Sequence, residues 1–264
     1  METNIHRKEE AIQSVWLKMA EANSDAESLC TDGLLFRGPI SYADGYWSRK
    51  KGEEETLWQN APRKLLILTK DLNDDEGWDV RQETGRYNEI AFSYERAISF
   101  YKNLRMWSYL MLKGEIGNIP SFKDARNMNI VGPFYETAPI ARVNCKKQVG
   151  GGSISDTLLM QYLETYAEPL MQQIRLYDAD IIYCCGFSND RNIIMDFVWA
   201  HYLTDLESVP NTDGWFYYSP STGKLVVNSY HPSARIGYEE TYYGLADAYG
   251  ETLKWIKEKY NKTF

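Results

Sequence analysis

From residue 64 to residue 69 the chain reads KLLILT, apolar without alternation, and predicts a strand covered on both faces. Residues 139–144 and 180–185 have the same character, the latter closed by Gly186. Shorter strands are predicted at 215–218 and 224–228, on either side of the turn-rich stretch Ser219-Pro220-Ser221-Thr222-Gly223. Between the strands the period changes. Ile5, Ala11, Ile12, Val15, Trp16, Met19 and Ala20 fall largely on one helical face and predict a helix over 5–27. Further helices are predicted over 89–112, over 189–202, over 238–260, and from Ser155 or Asp156 to 177 with Pro169 interrupting or kinking it. Residues 31–62, with Gly33, Gly38, Pro39, Gly45 and Gly52, read as irregular.

Strands separated by helices indicate an α/β fold, a three-layer α/β/α sandwich with a mainly parallel central sheet. Residues 1–60 are expected to form an N-terminal helical extension packed on a domain of residues 61–264. The composition is globular, with 44% hydrophobic and 25% charged residues, which excludes a wholly disordered chain. A formal charge of −8 argues against a basic coat for bulk nucleic-acid binding. It leaves room for a local basic groove, for which Lys146-Lys147 and Arg49-Lys50-Lys51 are the candidates.

No apolar leader segment and no run of about 18 apolar residues is visible, so neither secretion nor a membrane span is expected. Cys30, Cys145, Cys184 and Cys185 form no C-x-x-C pair. They are expected to be free thiols of a cytoplasmic protein without a metal.

In open α/β sheets ligands bind outside the carboxyl ends of the strands. Three such ends carry unusual polar residues. The first supplies Asp71 and Asn73, the second Asn144 with Lys146 and Lys147 beyond it, and the last His231-Pro232-Ser233-Ala234-Arg235.

These segments resemble, in order, motifs of the uracil-DNA glycosylase superfamily. LLILTKDLN (65–73) is similar to its first motif, in which Asp, Asn or Glu follows a buried strand. ARVNCKKQVGGG (141–152) is similar to its middle strand with a base-reading Asn, and His231-Pro232-Ser233 to its H-P-S loop. The resemblance covers roughly residues 60–260. Thr69 stands where that first motif has Gly, Leu72 where it usually has Pro, and Asn73 where the best-known uracil enzymes have a Tyr that excludes thymine. A shift of two positions in the middle motif would put Arg142 in place of Asn144.

The resemblance implies a uracil-DNA glycosylase-like fold and a monofunctional DNA glycosylase without metal or organic cofactor. Such an enzyme flips a base out of DNA and breaks its bond to a sugar that develops cationic character. Asp71 is the candidate to stabilise that cation and orient water. His231 is the candidate hydrogen-bond donor to the departing base. Asn144 is expected to read the base, with Asn73 and Trp78 lining its pocket and Tyr87 or Phe92 as other stacking candidates. Ser233 suits a phosphate contact, as do Lys146 and Lys147. Arg235 or Ile236 is placed to enter the duplex. Each has a plainer alternative: a loop Asp in an Asx-turn, a His beside a Pro turn, an amide ending a strand, solvated lysines. The partner expected is DNA, and the chain is expected to be monomeric. The base is uracil or a bulkier modified cytosine of the kind found in phage DNA, and the setting is repair or phage defence. The rival expectation is a binding module on the same fold, holding nucleic acid or protein without chemistry.

Overall fold

The computed structural model describes residues 4–43, 45–84, 98–151, 153–234 and 237–264. The elements run in the order α1 (Ile5–Ala22), β1 (Gly33–Leu34), β2 (Ile40–Ala43), β3 (Tyr46–Arg49), α2 (Glu54–Asn60), β4 (Leu65–Thr69) and a single 3-10 turn at Val80–Gln82. Then follow α3 (Ser99–Lys113), α4 (Phe122–Ala125), α5 (Met128–Thr137), β5 (Ile140–Asn144), α6 (Asp156–Thr165) and α7 (Ala167–Tyr177). The last are β6 (Ile181–Phe187), α8 (Ile193–His201), β7 (Glu207–Ser208), β8 (Phe216–Ser219), β9 (Lys224–Tyr230) and α9 (Tyr238–Tyr260).

The sheet has the order β1-β5-β4-β6-β9-β8-β7. Its four central strands, β5, β4, β6 and β9, are parallel, and antiparallel pairs flank them. The apolar run of β4 explains its central place. Leu65 and Ile67 point into a core shared with α3, α5 and α9, while Leu66 and Leu68 point into a second core shared with α1, α7 and α8. Full burial of each such side chain contributes roughly 1.5–3 kcal/mol. Helices therefore cover both faces, and the fold is α/β with a mixed sheet. No helix among the described residues is long and apolar enough to cross a membrane.

From β4 the chain passes to β5 on one side, then crosses to β6 on the other. The strand order therefore reverses between β4 and β6, and the crevice above their carboxyl ends is the expected ligand position.

Several boundaries differ from the sequence reading. Helix α1 stops at Ala22, where Asn23 caps it and Ser24 turns left-handed at φ 56°. The expected helix over 155–177 is two helices meeting at Tyr166. Pro169 lies in the first turn of α7, where a missing N–H leaves no intrahelical bond unmade, so it is not the break. The described part of the expected 89–112 helix begins at Ser99, and residues 85–97 lie outside the described residues. Helix α8 starts late because Asn192 caps it, its side chain accepting from the Met195 N–H. The first 60 residues contain more than helices. Strand β1 pairs with β5 inside the main sheet, and β2 and β3 form a separate hairpin.

Candidate active site

Because the central strands are parallel, their polar carboxyl ends share one edge. Thr69 and Asn144 are register partners at the ends of β4 and β5, and β9 ends at Tyr230. Asp71 and His231 follow β4 and β9, whose axes lie two strands apart, roughly 10 Å across the sheet.

The Asp71 carboxylate is mostly buried and lies 3.7 Å from Nζ of Lys146. Burial pushes its pKa up and outweighs the opposing pull of Lys146 and Lys70. The carboxylate rests against Gly150, where a Cβ would meet Oδ2 at 2.5 Å. Only a glycine lets the backbone come this close, and Gly150 holds the loop there by donating its N–H to Leu72 O at 2.9 Å.

His231 is held differently. Its Nδ1 accepts the backbone N–H of Ser233 at 3.2 Å. That bond assigns the proton of the neutral ring to Nε2, which makes Nε2 a donor. The ring packs 5.7 Å from that of Phe100, tilted by 43°. Burial lowers its pKa first, and the charges of Lys70 and Arg142 lower it further, to about 4. At neutral pH the site thus presents a buried carboxylate and an uncharged N–H donor.

The other predicted residues are distributed unevenly. Asn144 is buried and its amide is engaged: Oδ1 accepts from Thr69 Oγ1 at 2.6 Å, and Nδ2 reaches Cys30 Sγ at 3.4 Å. Each end of the amide expected to read a base thus has a protein partner, and one lone pair and one N–H are left over. Arg142 is also buried. Its Nη1 pairs with Glu83 Oε2, and its guanidinium lies 5.1 Å over the Phe100 ring.

Lys147 is corrected as a groove residue. Its ammonium pairs with Asp32 and lies 5.2 Å over Trp16, with 1% of the side chain exposed. Lys146 is likewise turned inward. It donates to Gln148 O at 2.7 Å and Val149 O at 3.1 Å, and sits 5.1 Å over the Tyr162 ring. Arg49 is buried on Glu136 at 2.9 Å, while Lys50 and Lys51 are exposed.

Asn73 is exposed and bridges to Gly150. Trp78 packs on Cys30, Leu72 and Val80. Ser233 is exposed, but its N–H is committed to His231, so only its hydroxyl remains for a phosphate. Tyr87, Phe92, Arg235 and Ile236 lie outside the described residues.

Residues given no part in the glycosylase site from the sequence also build this edge. Lys70 reaches Asp156 at 3.6 Å across the β4–β6 switch point. Glu83 accepts from Tyr135 at 2.8 Å as well as pairing with Arg142. A signal for Glu83 was present: an Arg in the middle of a buried strand, IARVN, requires a buried carboxylate partner. Among the described residues, no group of three or more His, Cys, Asp or Glu side chains could hold a metal ion. The four cysteines are buried and free.

Comparison of the chain with protein-family models, with curated proteins and with solved structures finds no match.

Proposed function

We propose that this chain is a monofunctional DNA glycosylase with a uracil-DNA glycosylase-like fold. The observation that carries the reading is the neutral His231, its Nε2–H left as a donor, on the same sheet edge as the buried Asp71 carboxylate. The two follow β4 and β9, on either side of β6, at the end of the sheet where ligands bind in such folds.

The bond broken is the one between the sugar C1′ and the base nitrogen. Its electron pair leaves with the base, and the Nε2–H of His231 donates to the base oxygen that gains the charge. An uncharged donor suits this role, since it stabilises the anion without giving up a proton. Asp71 faces the positive charge that develops on the sugar and orients the water that adds to C1′. The proton released by that water passes to Asp71 or to solvent.

The substrate is uracil or a bulkier cytosine derivative, in repair or phage defence. Exposed Asn73 and the exposed stretch Asp74-Asp75-Glu76, where a Tyr would narrow the pocket, favour the larger base. The enzyme is a cytoplasmic monomer acting on DNA, and its four unpaired thiols support a reducing compartment. One observation favours a second reading, the silent binding module: the amide of Asn144 is buried and engaged at each end, by Thr69 and Cys30.

The test is base release from DNA containing uracil and from DNAs carrying bulky modified cytosines, with alkali revealing abasic sites. Release that disappears in His231→Ala supports the glycosylase and names its base class. DNA binding without release from any substrate overturns it in favour of the module.

A further inference from the structure

Helix α3 carries a buried amide with no role in its own helix. Asn103 is 2% exposed, among the buried Leu104, Met106 and Trp107 of α3. Asn is a weak helix former, and a buried amide is costly unless it is bonded. Its Nδ2 leaves the helix and donates to the carbonyl of Pro232 at 2.6 Å. Strand β9 ends at Tyr230, so no ladder partner reaches that carbonyl. Three residues earlier on the same helix face, Phe100 lies against the His231 ring. Helix α3 therefore touches the His-Pro-Ser turn at both its ring and its backbone. Within the turn, Ala234 N donates to His231 O at 2.8 Å and Ser233 N to Nδ1 at 3.2 Å.

We propose that Asn103 is a positioning residue for His231: by fixing the Pro232 carbonyl it holds the turn in which the Ser233 N–H reaches Nδ1. The orientation and tautomer of the imidazole are thus set from α3, through a side chain that itself touches no substrate. Pro232 stiffens the link, since its fixed φ leaves the turn fewer ways to relax. The charged groups whose fields reach the ring are Lys70, beyond β4, and Arg142, on β5, while α3 presents the apolar Phe100. The inference uses the proposed glycosylase reading only in calling His231 a donor to the base.

The test reads His231 directly, by long-range proton–nitrogen correlation of its imidazole in the full chain. The wild-type ring should be the Nε2–H tautomer, neutral at pH 6. In Asn103→Leu the ring should populate both tautomers, its pKa should rise by at least about one unit toward the free value, and turnover should fall about tenfold with KM changed less than threefold. Asn103→Asp is nearly isosteric and supplies no N–H donor, so it should show the same tautomer mixing if the Leu variant does not fold. Asn103→Gln keeps the donor and should restore part of the effect. An unchanged tautomer and pKa in a folded Leu or Asp variant overturn the proposal. An altered imidazole in a chain whose wild type releases no base leaves the positioning intact and removes the glycosylase reading. Full release with an unaltered imidazole does the reverse.

Discussion

Ser233 donates its backbone N–H to Nδ1 of His231 across a single intervening proline, at 3.2 Å. The bond occupies the one acceptor of the neutral ring and leaves the proton on Nε2. It cannot form when Nδ1 is protonated, which adds to the burial and the nearby cations that keep the ring uncharged.

The pH profile follows from this. The folded pKa of His231, about 4, lies below the free value of 6.5. Between those limits the unfolded chain binds the extra proton, so this group's stability is full above pH 6.5 and declines as pH falls toward 4. Base release is expected to show no inflection from His231 near 6.5; its acid limb belongs to protonation of the Asp71 carboxylate, whose pKa burial raises, and of His231 near 4, and His231→Ala should lower turnover on the order of 10²–10³. A pH–rate profile with an acid limb centred at 6.5 would contradict the neutral donor.

Asp71 offers a second test through its neighbour. Asp71→Asn should lower turnover on the order of 10²–10³ while the thermal midpoint changes little, since the carboxylate is held at some desolvation cost. Gly150→Ala places a methyl group 2.5 Å from Oδ2 and must displace either the carboxylate or the loop. We expect about a tenfold loss of turnover in this variant, in keeping with the cost of misplacing a catalytic group. Equal activity in wild type and Gly150→Ala would show that the position of this carboxylate is unimportant.

The centre of the sheet was legible because its strands are continuous apolar runs, whereas the two-residue edge strands β1 and β7 were not, and α9 was legible to both ends. The break at Tyr166 was not. The strongest local breaker, Pro169, sits three residues beyond it in a harmless first-turn position. The candidate site was legible only where its residues directly follow strands. Asp71 and His231 follow strands and could be placed by that rule alone. Lys146 and Lys147 read as groove residues because the carboxylates they meet, Asp71 and Asp32, are distant in sequence: Asp32 is 115 positions from Lys147. Asn144 likewise depends on Cys30, which the chain brings to the end of β5 only through the irregular N-terminal segment. No local pattern reports such pairs.

The Lys147–Asp32 pair predicts stability effects without an effect on DNA binding. Asp32 also accepts from Gln173 Nε2 at 3.0 Å and from the Asn144 backbone N–H at 2.8 Å, so its removal strands several donors. Asp32→Asn leaves the buried ammonium uncompensated and should cost about 3–5 kcal/mol in urea unfolding. The double variant Asp32→Asn with Lys147→Met removes both charges and should recover much of that loss. Its DNA affinity should fall with salt at the wild-type slope, because Lys147 meets no phosphate. A slope reduced by about one unit would return Lys147 to the interface.

A second buried network ties the N-terminal segment to the fold and titrates in the opposite direction. His6 on α1 bonds through Nδ1 to Glu9 at 2.9 Å and through Nε2 to Glu54 of α2 at 2.7 Å. Glu9 also accepts from Arg81 at 3.0 Å, Tyr177 at 2.8 Å and the Leu34 N–H at 2.7 Å. Burial of the ring disfavours its charge, but the bonds and fields of Glu54 and Glu9 outweigh it and raise the pKa to about 9. The folded value lies above the free value of 6.5, so the folded chain keeps the proton longer. The stabilisation is full below pH 6.5 and is lost as pH rises through 9. With allowance for solvent screening at the edge of the network, the loss is on the order of 2 kcal/mol. Urea midpoints should therefore fall between pH 7 and about 9.5 in the wild type, and by much less in His6→Gln, which cannot carry the charge. Parallel curves for the two proteins across that range would mean that His6 is neutral in the folded chain.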